Sequence, residues 1–153
     1  MHGNALILGG NGRFGRNAAE AFWNAGWRVT LFDRATDDLA TATRGIDVIV
    51  NGWNPPYTRW ATDVPALTTQ VIDAARANGC TVMIPGNVYV YGPDAPAVLT
   101  PVTPKAATNP LGRIRIEMEA AYRTSGVQTI LLRAGDFIDT AASGNWFDKV
   151  ITP

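Results

Sequence analysis

Near its N-terminus the chain carries a short apolar run, Ala5-Leu6-Ile7-Leu8, that stops on Gly9-Gly10 and gives way at once to a helical period. Four apolar residues without alternation read as a strand buried on both faces. Phe14, Ala18, Ala21, Phe22 and Ala25 then recur at helical spacing, and Gly26 is placed to end that helix. A strand joined to a helix by so few residues, most of them glycine, leaves little choice of architecture. It is the opening unit of an α/β fold.

The rest of the chain repeats the alternation. Trp27 to Asp33 reads as a second strand closing on an acid, and Asp37 to Arg44 as a weak helical stretch. Asp47-Val48-Ile49-Val50-Asn51 is a third strand, followed by a helix on Val64, Leu67, Val71, Ala74 and Ala75 that Gly79 caps. Thr81 to Ile84 is a fourth strand. Leu111, Ile114, Met118, Ala121 and Tyr122 face one side of a further helix ending near Gly126, and Gln128 to Arg133 is a fifth strand. The expected fold is α/β: a Rossmann-like doubly wound parallel sheet of about five strands with helices on both faces. Between Pro93 and Pro110 lie five of the ten prolines, so that connection is expected to be an ordered surface loop. The 153 residues suit one domain, residues 1–153.

Within the first turn, Gly10-Asn11-Gly12-Arg13-Phe14-Gly15 has the spacing G-x-G-x-x-G, and Gly9, Gly12 and Gly15 give a second glycine register. Such glycines permit a tight turn, backbone approach to a pyrophosphate and close helix–strand packing, while the helix N-terminus supplies unpaired N–H groups. Asp33 stands at the end of the second strand, about 20 residues on, where a ribose-binding acid belongs. A triphosphate-binding loop is excluded, because Arg16-Asn17 occupies the place of the required Lys and Ser/Thr. Asp33 favours NAD over NADP, since its carboxylate would repel a 2′-phosphate. Arg13 and Arg34 can bind that phosphate or stand as solvated charges. The cofactor expected is NAD or NADP, with NAD favoured. The bland alternative is a glycine-rich turn that binds nothing.

Composition narrows the partners. With 13 Lys+Arg against 13 Asp+Glu and no basic run, the chain lacks the footprint of a nucleic-acid binder. No apolar stretch reaches membrane-spanning length. The single cysteine, Cys80, cannot form an internal disulfide and reads as core, which fits a cytoplasmic location. No cluster of His, Cys or carboxylates has metal-ligand spacing, so no metal is expected.

On these motifs, together with Val90-Tyr91-Gly92, Asn109 to Arg115 and Leu132 to Phe137, the chain resembles the extended or atypical short-chain dehydrogenase/reductase superfamily, in its NAD-dependent epimerase/dehydratase branch. The resemblance implies cofactor contacts at Gly9, Gly12, Arg13, Phe14, Gly15, Asp33 and Arg34, and at Asn51, Gly52 and Trp53 beyond the third strand. It implies that Gly86-Asn87-Val88-Tyr89 faces the nicotinamide. The proline loop and the stretch Trp53 to Tyr57 would wall the substrate. By the same resemblance the long helices, Val64–Asn78 and Leu111–Thr124, would pair in a homodimer.

The departures concern chemistry. The family's Ser/Thr after the fourth strand is Asn87 here, and its Tyr-x-x-x-Lys pair is Leu111-x-x-x-Arg115. Leucine has no proton to give, Asn87 can orient a carbonyl, and Arg115 can hold a ribose hydroxyl but is a poor relay. Arg115–Glu119 and Arg113–Glu117 read equally well as i, i+4 pairs on a solvated helix face. Tyr89 and Tyr91 are nearby phenols that can substitute as acids or simply pack. The catalytic candidates are therefore Asn87, Tyr89 and Arg115. Family members also carry one more strand–helix step before Asp47 and a C-terminal substrate region, which is expected to be largely absent here. Two functions follow: hydride transfer on a sugar nucleotide or another small carbonyl or alcohol substrate, or NAD(P) sensing without turnover.

Overall fold

The computed structural model describes residues 2–135 and residue 137. Its elements in chain order are β1 (Asn4–Leu8), α1 (Arg13–Asn24), β2 (Arg28–Phe32), α2 (Leu39–Ala42), β3 (Val48–Asn51), α3 (Trp60–Asn78), β4 (Thr81–Gly86), α4 (Pro110–Thr124) and β5 (Thr129–Arg133). Short 3-10 turns at Tyr57–Arg59 and Val88–Val90 follow β3 and β4. All strand pairs are parallel, in the order β2-β1-β3-β4-β5. The doubly wound α/β fold is present.

Alternation along the buried strands sends side chains to two cores. Leu6, Leu8, Ile49, Val82 and Ile84 meet Trp60, Val71 and Ile72 of α3 and Met118 and Tyr122 of α4. Ala5, Ile7, Val48 and Val50 face the other way, against Phe14, Ala18 and Phe22 of α1. The central β1 residues Ala5 to Leu8 are fully buried, whereas Leu31 on β2 and Ile130 and Leu132 on β5 are exposed as edge positions allow.

Several boundaries differ from the sequence reading. Helix α3 begins at Trp60 rather than Val64 and carries Pro65 inside it. The stretch Asp37 to Arg44 yields only the four residues of α2, with Asp38 as N-cap accepting from Thr41 N at 2.9 Å. Strand β4 runs through Pro85 to Gly86 rather than stopping at Ile84. Pairing with β3 ends at Val50–Met83, so that side of the ladder asks no donor of Pro85. The proline-rich connection has no helix or strand, and the bond from Ala107 N to Val90 O (3.1 Å) fixes its end.

From β1 the sheet grows one way to β2 and the other way to β3, β4 and β5. The strand ends therefore diverge between β1 and β3, the place where open α/β sheets form a crevice.

Candidate functional site

The crevice is built on close backbone contacts. Gly9 turns the chain with φ +75°, and Gly12 N donates to Gly9 O at 2.9 Å. A Cβ on Gly15 would come within 2.2 Å of Gly9 O, and one on Gly52 within 2.7 Å of Leu8 O. Only glycine lets α1 and the end of β3 approach β1 this closely. Gly12 is the N-cap of α1 and brings no side-chain cap to the first turn, the end of a helix that favours an anion.

These contacts bound a cleft of about 1120 Å³ at the C-terminal ends of the strands. Gly9, Gly12, Arg13, Phe14, Asp33, Arg34, Asn51, Gly52 and Trp53 all line it, as do Asn87, Tyr89 and Arg115. Gly15 is buried beneath it and shapes the loop from behind. The thirteen sequence candidates thus converge on one place from four strand ends and two helices.

At the β2 side, Asp33 is exposed, and its Oδ1 accepts from Ala35 N at 2.9 Å while its own N donates to Asp37 Oδ2 at 2.8 Å. That arrangement fixes the turn and leaves the carboxylate at the cleft wall. The Arg34 guanidinium stands 4.2 Å from the centre of the Trp53 ring, which meets Phe32 edge-on. Asn51 is tied down twice: Nδ2 donates to Tyr122 Oη at 3.1 Å, and Oδ1 accepts from Trp53 N at 3.2 Å. Burial pushes the Tyr122 phenol up to about 12, against the opposing pull of the Asn51 bond. Tyr122 is a neutral strut.

At the β4 side, Asn87 Oδ1 accepts from Tyr89 N at 3.1 Å, and its backbone oxygen accepts from Arg133. The missing side chain of Gly86 leaves the room that the Arg133 guanidinium occupies. The Tyr89 hydroxyl lies 3.2 Å from that of Tyr57, and both rings pack near the buried Trp60, whose Nε1 donates to Pro55 O at 2.9 Å. Tyr57 is a cleft residue that sequence reading puts in a wall without a role. Its one signal is the stiff Asn54-Pro55-Pro56 segment that follows a buried strand directly. Tyr91, two residues after Tyr89, is instead buried, with the Arg133 guanidinium 5.2 Å from its ring centre, and it does not line the cleft. Leu111 borders a separate small hollow with Gly92 and Asn109.

The solvated-pair reading of Arg115 and Glu119 is overturned. Both are buried, at 8% and 3% exposure, and they serve different partners. Glu119 takes Arg133 through two bonds of 2.7 and 2.8 Å and Lys105 at 2.5 Å. Burial alone would raise the Glu119 carboxyl, but these two cations more than offset it and hold it below its ordinary value. Arg115 lies with its guanidinium 3.9 Å from the Trp60 ring centre and donates to Asn54 Oδ1 at 2.7 Å. Arg113 and Glu117 do stand on the exposed face. Among the described residues no group of three metal-ligating side chains comes together, and no helix is long and apolar enough to cross a membrane.

Parallel sheet, switch point and glycine-cradled helix together define a Rossmann-type α/β architecture. Solved structures share it. The chain is similar to a dTDP-4-dehydrorhamnose reductase from Clostridium acetobutylicum (TM-score 0.81, 15% identity, 97% of this chain and 58% of that one). A dTDP-4-dehydrorhamnose reductase from Yersinia enterocolitica gives TM-score 0.78 at 21% identity, over 98% of this chain and 59% of that one. A UDP-glucose 4-epimerase from Brucella ovis, solved with NAD, gives 0.75 at 16%, over 88% and 52%. The chain therefore has the fold of sugar-nucleotide epimerases and reductases, as the short-chain dehydrogenase/reductase resemblance implies, and spans between half and two-thirds of their length. No protein-family model matches it, and no curated protein sequence does.

Proposed function

We propose that this chain is an NAD(P)-binding oxidoreductase or epimerase of the extended short-chain dehydrogenase/reductase type, acting on a small carbonyl or alcohol substrate. The observation that carries the reading is the backbone cradle at Gly9, Gly15 and Gly52, open to a cleft with Asp33 at its far wall. A dinucleotide fits what the residues offer. The first-turn N–H groups of α1 suit a pyrophosphate, the Asp33 carboxylate suits adenosine ribose hydroxyls, and the cleft is of the size that large ligands fill. Asp33 supports NAD ahead of NADP. Arg34, stacked on Trp53, offers a shelf at the same end.

When bound, the nicotinamide supplies the hydride chemistry, and the protein's part is orientation and charge. Asn87 and the hydroxyls of Tyr57 and Tyr89 stand at the β3–β4 end, where they can hold a substrate oxygen by hydrogen bonds. A second reading, a non-catalytic NAD(P) sensor, draws on Leu111, which takes the place of the family's phenol and lies outside the cleft. The paired phenols of Tyr57 and Tyr89 weigh against it, because a sensor has no need of them.

Titration with NADH and NADPH, followed by nicotinamide fluorescence, tests the cofactor claim. A panel of sugar nucleotides and small carbonyl compounds scored for cofactor redox change or epimerised product then separates enzyme from sensor. Binding of neither nucleotide would sink both readings, and tight binding without turnover would favour the sensor.

A further inference from the structure

Arg115 is a buried cation that makes no ion pair among the described residues. A guanidinium carries five N–H donors. Here one goes to Asn54 Oδ1 at 2.7 Å, one makes a weak contact with Met118 Sδ at 3.2 Å, and the buried Nε finds no acceptor among the described residues. Glu119, one helical turn further along α4, is committed to Arg133 and Lys105. Among the described residues, Arg115, Arg133 and Lys105 thus gather around one buried carboxylate, Glu119. Burial pulls the Arg115 guanidinium below its ordinary value, with only partial electrostatic relief from Tyr57, Glu119 and Tyr89. Buried polar groups and charges in native folds find partners, and an exception on a cleft wall points to the ligand as the missing partner. Arg115 lines the cleft, Trp60 lies against its plane, and the Tyr57–Tyr89 hydroxyl pair opens on the same region.

We infer that Arg115, with the hydroxyls of Tyr57 and Tyr89, forms a binding site for a carboxylate of the substrate, which makes the substrate a carboxylate-bearing alcohol or carbonyl compound. The planar fork of arginine matches a planar carboxylate, and the exposed rings of Tyr57 and Tyr89 suit a flat group better than a tetrahedral phosphate. This deepens the proposed function by naming the substrate class. It rests on that reading only for placing the cofactor at the β1–β2 end.

The test is calorimetric titration of the full chain with oxalate, with inorganic phosphate in a parallel arm, each with and without NADH. NADH affinity is measured separately by fluorescence. Oxalate is expected to bind the wild type, to lose about tenfold or more in affinity in Arg115→Met, and to lose about threefold in Tyr57→Phe, as charge-assisted and neutral bonds differ. Arg115→Lys keeps the charge without the fork and is expected to fall between, and it carries the comparison should the methionine variant fail to fold. NADH affinity should stay within about twofold throughout, well under the tenfold that 1.4 kcal/mol represents. The inference is overturned if oxalate fails to bind, if its affinity ignores Arg115, or if phosphate binds more tightly at the same residue. It is also overturned if Arg115→Met weakens NADH as much as oxalate, which would assign the guanidinium to the cofactor. Oxalate binding through Arg115 in a chain that does not bind NADH would uphold this inference and sink the cofactor reading.

Discussion

Replacing Gly12 by valine should abolish dinucleotide binding and leave the fold intact, and the structure says why this glycine differs from Gly15. At Gly12 the backbone is extended (φ −80°, ψ 162°), a conformation valine adopts freely, and among the described residues a Cβ there would meet only Gly9 O, at 3.3 Å. Restricting the unfolded chain stabilises by about 0.4–1 kcal/mol, while the tight contact costs a similar amount. The net change should lie within about 1 kcal/mol, a shift of about 2–4 °C in Tm for a chain of this size. The added methyl groups, however, stand on the cleft wall where a pyrophosphate must approach backbone N–H groups. We expect NADH affinity to fall by about 100-fold or more, roughly 2.7 kcal/mol. Gly15→Ala should instead cost stability. Its Cβ would sit 2.2 Å from Gly9 O and 2.8 Å from Gly9 C, so backbone must move and stability should drop by about 1–3 kcal/mol. Thermal unfolding and nicotinamide fluorescence on both variants give the comparison. Wild-type affinity in Gly12→Val would refute the glycine-loop assignment. Wild-type stability in Gly15→Ala would refute the packing argument behind it.

Asp33→Ala should weaken NADH by about tenfold and NADPH less, as a lost charge-assisted bond to ribose requires, and the opposite ranking in paired titrations would hand the preference to Arg13 and Arg34. Glu119→Gln breaks a buried carboxylate away from Arg133 and Lys105 and should cost about 3 kcal/mol in urea unfolding, at the low end for such pairs because both cations are partly exposed. Because folding lowers the Glu119 carboxyl, its stabilisation is complete above the unfolded-state value of about 4.3 and is lost as pH falls through the lower folded value. Wild type should therefore lose stability more steeply than Glu119→Gln between about pH 5 and 3, and parallel curves would show that the pair contributes nothing. Burial, helped by Asp47, raises the Cys80 thiol, so a disulfide reagent should label it only at the rate of unfolding, and fast native labelling would contradict its place in the core.

What could be read from the sequence was what local chemistry dictates. The run Ala5 to Leu8 had to be a buried strand, and Gly9, Gly12 and Gly15 had to mark the turn from it into a helix and that helix's first turn. Asp33 followed from the length of one β-α-β step. The reading failed where a partner lay far along the chain. Glu119 is four residues from Arg115 and so looked like its mate on a helix surface. Its actual partners come from β5 and from the proline loop, 14 residues away in each direction, and nothing local announces them. Tyr89 and Tyr91 look equivalent in Val88-Tyr89-Val90-Tyr91. A 3-10 turn advances about 120° per residue, so side chains two apart point in divergent directions. One therefore reaches the cleft and the other goes under Arg133.

The same geometry explains why Arg115, and not Leu111, reaches the cleft from α4. The start of α4 is pressed against the turn after β4: a Cβ on Gly112 would come 2.6 Å from Tyr89 O and 2.4 Å from Ala107 Cβ. With the helix held that tightly, Leu111 falls in the outer hollow beside Asn109 while Arg115, one turn on, reaches the cleft. On the proposed function, a hydroxyl at the β3–β4 end must then come from elsewhere. Tyr57 supplies it, carried on a proline-stiffened segment and held near Tyr89 by the buried Trp60. Because Asn54 on that same segment accepts from Arg115, the segment and the guanidinium are coupled. On the proposed carboxylate site, a group that binds Arg115 would therefore also bear on Tyr57, so substrate recognition and the placement of the phenol would be one event rather than two.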